Sequence, residues 1–154
     1  MTIWKPAGHI RVKVLGLVWR GDELLLSEVE ESSGRVKGLR PLGGSIEFGE
    51  TRGAALVREF REELGCGAML AGPWHCFENI FEHEGAIGHE FVFAANLELD
   101  DPGLYATDRF KFLEDDGLGC WARWVAPERL PEGVELYPTG LLSLVESGVI
   151  GPDV

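Results

Sequence analysis

Hydrophobic and polar residues along the chain mark out strands and helices in a mixed order. Residues 10–19, IRVKVLGLVW, are β-branched and apolar on both faces, which predicts a strand covered on both sides. Arg20, Gly21 and Asp22 supply turn chemistry, and ELLLSEVE at 23–30 reads as the second arm of a hairpin. Residues 31–40, ESSGRVKGLR, are polar and glycine-containing and predict a loop. Over 51–64 the period changes to that of a helix. Gly53, Leu56, Val57, Phe60 and Leu64 fall within a sector of roughly 100° and form a core stripe. Thr51 or Glu50 can cap the start of this helix, and Gly65 stands where a left-handed C-terminal residue belongs. A strand leaving Pro73, a turn at EGAIG (84–88) and a strand at 89–99 follow. Residues 100–117 read as acidic and irregular, 119–127 as a short strand, and 137–148 as a closing helix with Pro138 and Thr139 at its start. Strict βαβ alternation is missing, so the pattern predicts an α/β fold: a mixed β-sheet with helices packed on its faces.

Length and composition narrow the class. The 154 residues suit one domain spanning 1–154, and no linker, repeat or low-complexity tract divides them. A formal net charge of −12 argues against a nucleic-acid duplex or an anionic membrane as partner, since both call for a basic face. An anionic small molecule stays compatible if cations stand between it and the protein. No segment approaches about 18 consecutive apolar residues, and the N-terminal stretch lacks a signal-peptide core. Cys66, Cys76 and Cys120 are odd in number and form no CxxC pair, so they read as free thiols in a reducing compartment. The expected setting is cytoplasmic.

The chemistry concentrates at Gly43–Cys66, GGSIEFGETRGAALVREFREELGC. On the helix, Glu59, Glu62 and Glu63 share a second face, roughly 120° from the core stripe. Like charges so spaced cost on the order of 0.2–0.5 kcal/mol per pair when only water surrounds them. A solvated acidic face relieved by Arg58 and Arg61 accounts for the helix taken alone. The flanking residues favour a cation cradle. Carboxylate oxygens suit hard divalent cations, and the pair Gly43 and Gly44 lets the backbone approach a metal or phosphate closely. Glu50, at the helix start, is placed to meet Arg58 or to support the metal shell.

Gly44, five residues, Glu50, seven residues and then REFREELGC resembles the Nudix box, Gx5Ex7REUxEExGU. Its fixed identities are all present, as Gly44, Glu50, Arg58, Glu59, Glu62, Glu63 and Gly65. A chance match is on the order of one in 10⁸ per starting position, so coincidence is set aside. Phe60 fills the aliphatic slot, and Cys66 stands where Ile, Leu or Val is usual. The resemblance implies the MutT-like α/β/α sandwich with a mixed sheet. It also implies Mg²⁺- or Mn²⁺-dependent hydrolysis of a pyrophosphate bond in a nucleoside di- or triphosphate or a nucleoside diphosphate derivative. It carries over Glu59, Glu62 and Glu63 as metal ligands, Gly43 as a carbonyl donor to the metal, and Glu59 as the choice for a base within the box. Arg58 is then expected to hold Glu59 or Glu50 by a charge-assisted bond. Some family members take a further acid from outside the box, for which Glu90, Asp115 and Asp116 are the candidates here. Frequent dimerisation in the family keeps a homodimer open.

Other signals are weaker. Arg40, just before PLGG, is a candidate for a substrate phosphate. Glu47 reads as solvated. His75, His83 and His89 fit no zinc spacing and read as ordinary surface or sheet histidines. Trp121 and Trp124 lie three apart in one strand, so they face opposite sides and at least one belongs to the core. Trp4, Trp19 and Phe81 are unranked candidates for stacking on a base. The proline and tyrosine marks of ADP-ribose and dinucleoside-polyphosphate hydrolases past the box are absent; Phe81, Glu82 and His83 stand there. The substrate stays unnamed. A nucleotide-derivative sensor without turnover and an isomerase on the same fold remain rivals, and the intact box argues against the sensor.

Overall fold

The computed structural model describes residues 4–114 and 116–154. Eight strands form one mixed sheet: β1 (Ile10–Arg20), β2 (Glu23–Glu30), β3 (Val36–Ser45), β4 (Ala68–His83), β5 (Ala86–Leu99), β6 (Arg109–Leu113), β7 (Gly119–Val125) and β8 (Glu135–Leu136). The helices are α1 (Arg52–Leu64), α2 (Pro102–Tyr105) and α3 (Leu141–Glu146). The strand order is β4-β5-β1-β3-β2-β7-β6, with β8 beside β3. Strand β1 runs parallel to β5 and antiparallel to β3, and only its end, Trp19–Arg20, reaches β2.

Alternation along β1 builds two cores. Val14 and Val18 face a cluster with Leu56 and Phe60 of α1, while Leu15 and Leu17 face a cluster with Leu141 of α3. Gly16 lies against Phe60 and Leu97, where a Cβ would clash with both side chains. Helices on both faces of a mixed sheet give the expected α/β/α sandwich.

The hairpin β1–β2, helix α1 and the strand at 119–127 match expectation closely. Thr51 caps α1, its hydroxyl accepting from the Ala54 amide at 3.1 Å, and Gly65 closes it in the left-handed region at φ 69°. Four predictions change. The loop expected at 31–40 contains the start of β3, because β2 and β8 pair with residues whose composition is polar. The strand expected to leave Pro73 begins at Ala68, and the turn after it shrinks to Glu84 and Gly85, both at positive φ, as a tight hairpin requires. The segment 100–117 holds α2 and the edge strand β6. The closing helix is shorter than 137–148 and starts after Gly140, whose φ of 100° places it outside helical geometry.

Candidate active site

Arg58 organises the carboxylates. Its Nε donates to Glu50 Oε2 at 2.7 Å and its Nη2 to Glu50 Oε1 at 2.9 Å, a two-pronged pairing across two helical turns. Nη2 also donates to the Ser45 carbonyl at 3.0 Å, which ties the helix to the end of β3. Nη1 reaches Glu59 Oε1 at 3.1 Å and Glu62 Oε2 at 3.2 Å. These bonds hold the Glu50 carboxyl well below the ordinary range, at about 2, with Arg58 the main cause and the Glu47 amide second. Bonding to Glu50 likewise raises the pKa of Arg58, despite the opposing effect of burial. Glu47 is exposed and 3.9 Å from Arg58.

The three box glutamates do not share one solvent-facing side. Glu59 is only 1% exposed and belongs to the buried face of α1 with Ala55, Leu56 and Phe60, whereas Val57 is only half-buried. The sheet explains the difference. Glu59 packs against Gly44 of β3, where a Cβ would sit inside the van der Waals envelope of its carboxylate. A helical wheel cannot see a strand position with no side chain. Gly43 has a different reason to be glycine: its Cβ would collide with the Val14 carbonyl across the β1–β3 pairing. Glu62 stands half-exposed on the helix, and Glu63 faces a cleft.

That cleft has a volume of about 330 Å³. Gly43, Glu63, Lys13, Arg40, Glu28, Glu114, Trp121 and Trp4 are among the residues that line it. Arg40 lies 3.7 Å from Glu90, which is 2% exposed and does not line the cleft itself. Glu90 is the fifth residue of β5 rather than its opening one. Asp116 is exposed and accepts from the Leu118 amide at 2.9 Å, closing a turn. Asp115 lies outside the described residues. Among the described residues of this segment, the acid that lines the cleft is Glu114. Together with burial, it helps push the Cys120 thiol up to about 12.

Composition and spacing missed two further features. Glu28, buried in β2, takes two bonds from Arg109, at 3.0 and 2.9 Å, and lies 3.4 Å from Arg123. Arg109 in turn stacks 4.0 Å from the ring of Trp121. The other is Lys13. It shares the face of Arg11, Leu15 and Leu17, and a second cation at period two beside apolar positions was its signal in the sequence. Burial first, and then Arg40 and Arg11, lower its pKa to about 8. Trp124 is buried, as one of the tryptophan pair had to be, and Trp19 donates to Asn96 at 3.0 Å away from this cleft. His83 is buried in the sheet, which pushes its pKa below the usual value.

Among the described residues, no three His, Cys, Asp or Glu side chains stand close enough together, as placed, to hold a metal ion. Glu59 and Glu62 are drawn onto the same Arg58 nitrogen. The donor set nonetheless fits a hard divalent cation: three carboxylates on one helix, a neighbouring backbone carbonyl at Gly43, and a glycine, Gly44, that makes room for the Glu59 carboxylate.

The NUDIX domain family matches residues 9–140, and the chain belongs to that family. It is a Nudix-type hydrolase, an enzyme of acid anhydrides in phosphorus-containing compounds. Its fold is similar to that of the E. coli ORF135 protein, with a TM-score of 0.59 at 22% identity over 93% of this chain and 94% of the other. It is also similar to a MutT NUDIX hydrolase from Burkholderia pseudomallei, with a TM-score of 0.51 at 18% identity over 92% and 99%. No curated protein sequence is significantly similar to the chain. Among the described residues, no helix is long and apolar enough to cross a membrane.

Proposed function

We infer that the protein hydrolyses the pyrophosphate bond of a nucleoside di- or triphosphate, or of a nucleoside diphosphate derivative, with Mg²⁺ or Mn²⁺ as cofactor. The observation that carries this reading is the convergence of Arg58 on Glu50, Glu59 and Glu62 beside Gly44, next to a cleft that contains Glu63, Lys13 and Arg40. Glu59, Glu62, Glu63 and the Gly43 carbonyl would hold the cation. When bound, it polarises a phosphoryl oxygen and offsets the charge of the leaving phosphate. Arg58 orients Glu59, the candidate base, and Glu50 fixes Arg58 in turn. Arg40 offers the substrate a guanidinium whose nearest carboxylate, Glu90, is beyond hydrogen-bond distance. Water adds to one phosphorus, the bridging P–O bond breaks, and the proton of the water leaves through the base. A cytoplasmic, single-domain protein belongs to the same reading, as does a homodimer, which sedimentation equilibrium checks.

The test is release of phosphate, pyrophosphate or nucleoside monophosphate across a panel of nucleotide derivatives, with Mg²⁺, with Mn²⁺ and with chelator. Metal-dependent release from one compound class is the expected result. Glu62→Gln and Glu63→Gln should each cut kcat at least about a hundredfold with the fold intact, because an amide is a poor ligand for Mg²⁺. Near-normal turnover in both variants overturns the ligand assignment. Silence across the panel, with metal still binding, favours a sensor.

A further inference from the structure

A lysine in a central strand, facing an apolar layer, needs a reason. Lys13 stands on β1 between Ser45 of β3 and Val92 of β5. No hydrogen bond or salt bridge joins its ammonium to any described residue. Cations surround it: Arg40 from β3 lines the same cleft, and Arg11 lies two residues away on its own strand. Arg11 is engaged with the Ser45 hydroxyl. The carboxylates acting on Lys13, Glu90 of β5 and Glu114 before β7, lie beyond salt-bridge distance, and their pull is weaker than the push of the two arginines. Glu90 leans instead toward Arg40, at 3.7 Å, without a hydrogen bond to its Oε1. Lys13 is half-buried, and holding an ammonium there beside two guanidiniums is costly unless an anion completes the group. The space next to it is the cleft that also contains Gly43 and Glu63.

We propose that Lys13 and Arg40 form a two-cation subsite that grips a phosphate group of the substrate, with Glu90 as the counter-ion that positions Arg40. This rests on the phosphoanhydride reading above and deepens it: the substrate must present an anionic group to the cleft in addition to the one neutralised by metal at the box. Glu90 then orients a binding residue and takes no proton from water. An apolar or neutral group at that position of the substrate would leave the half-buried Lys13 without an anion, so the subsite selects for polyphosphate character.

Binding of imidodiphosphate, a pyrophosphate that resists hydrolysis, tests the subsite on the full chain with Mg²⁺ present, by calorimetry near neutral pH. Saturable binding is expected in the natural protein. Lys13→Met should weaken it about tenfold or more, and Lys13→Arg should stay within about threefold. Lys13→Gln serves as a second neutral variant should methionine disturb the strand. Glu90→Gln should raise KM with kcat and its pH profile little changed, which a general base would not permit. Equal affinity in the natural protein and the folded neutral variants overturns the subsite, and so does absence of binding in the natural protein. The two readings fail separately. Turnover with binding insensitive to Lys13 removes the subsite and leaves the hydrolase. Lysine-dependent binding with no turnover of any compound keeps the subsite and removes the proposed substrate class.

Discussion

Gly44 and Glu59 form one unit, and neither residue explains itself alone. The glycine gives up its side chain so that a carboxylate on the facing helix can be buried against the strand, and Arg58 then holds that carboxylate from the side. Gly44→Ala should therefore displace the Glu59 carboxylate, the end of a flexible side chain, while leaving the backbone in place. The expected outcome is a fall in kcat of about a hundredfold, since misplacement of a reacting group by an ångström costs about that much. The melting temperature should shift by only a few degrees. Gly43→Ala should behave differently. Its Cβ meets the Val14 carbonyl, part of a backbone that cannot swing away, so loss of folded protein is expected ahead of any loss of rate. Parallel measurement of melting and turnover on the two variants checks the contrast, and similar behaviour of both would refute it. Glu50→Gln tests the same unit from the other side. Its carboxyl titrates at about 2, below the unfolded value, so it adds stability above pH 4.5 that is lost as pH falls toward 2. The glutamine variant should show a shallower loss of stability with acid.

At the scale of elements, helix α1 was legible because its signals are local. Thr51 and Gly65 act within a turn of their own positions, and the core period lies within the segment. Thr51→Ala should cost about 1 kcal/mol through loss of the cap, read from denaturant midpoints. The box was legible for the same reason, as seven identities at fixed spacing in 23 consecutive residues, 44–66. What stayed hidden depends on partners distant in the chain. The first half of β3 is a strand because β2 and β8 flank it, though its own residues read as a loop. Edge strand β6 exists through its pairing with β7. Glu59 was grouped with Glu62 and Glu63 on one face because the wheel includes only the helix, and nothing near Glu28 in the sequence marks Arg109, 81 residues away, as its partner. The family resemblance also made Glu90 a candidate for an acid from outside the box; in the fold it lies 3.7 Å from Arg40 and does not line the cleft.

At the scale of the whole molecule, a chain of net charge −12 keeps a few of its cations inside a cleft, and this arrangement has a pH signature. The Lys13 pKa is about 8 in the folded protein, against an ordinary value of 10.5 for the unfolded chain. Between those values the unfolded chain holds a proton that the folded chain has released, so stability must rise as pH rises through this window. Below about pH 8 both states carry the proton and the cost of burying the charge is constant. Above about 10.5 neither does. The gain across the window is at most on the order of 3 kcal/mol, less for a side chain still partly open to water. Other groups that titrate there are common to a variant and cancel in the difference. Denaturant unfolding of the natural protein and of Lys13→Met from about pH 7.5 to 10.5 should therefore converge: the variant more stable at the low end, the two nearly equal at the high end. Profiles that run parallel would mean that Lys13 carries no such penalty, and the case for a half-buried cation awaiting an anion would fall with it.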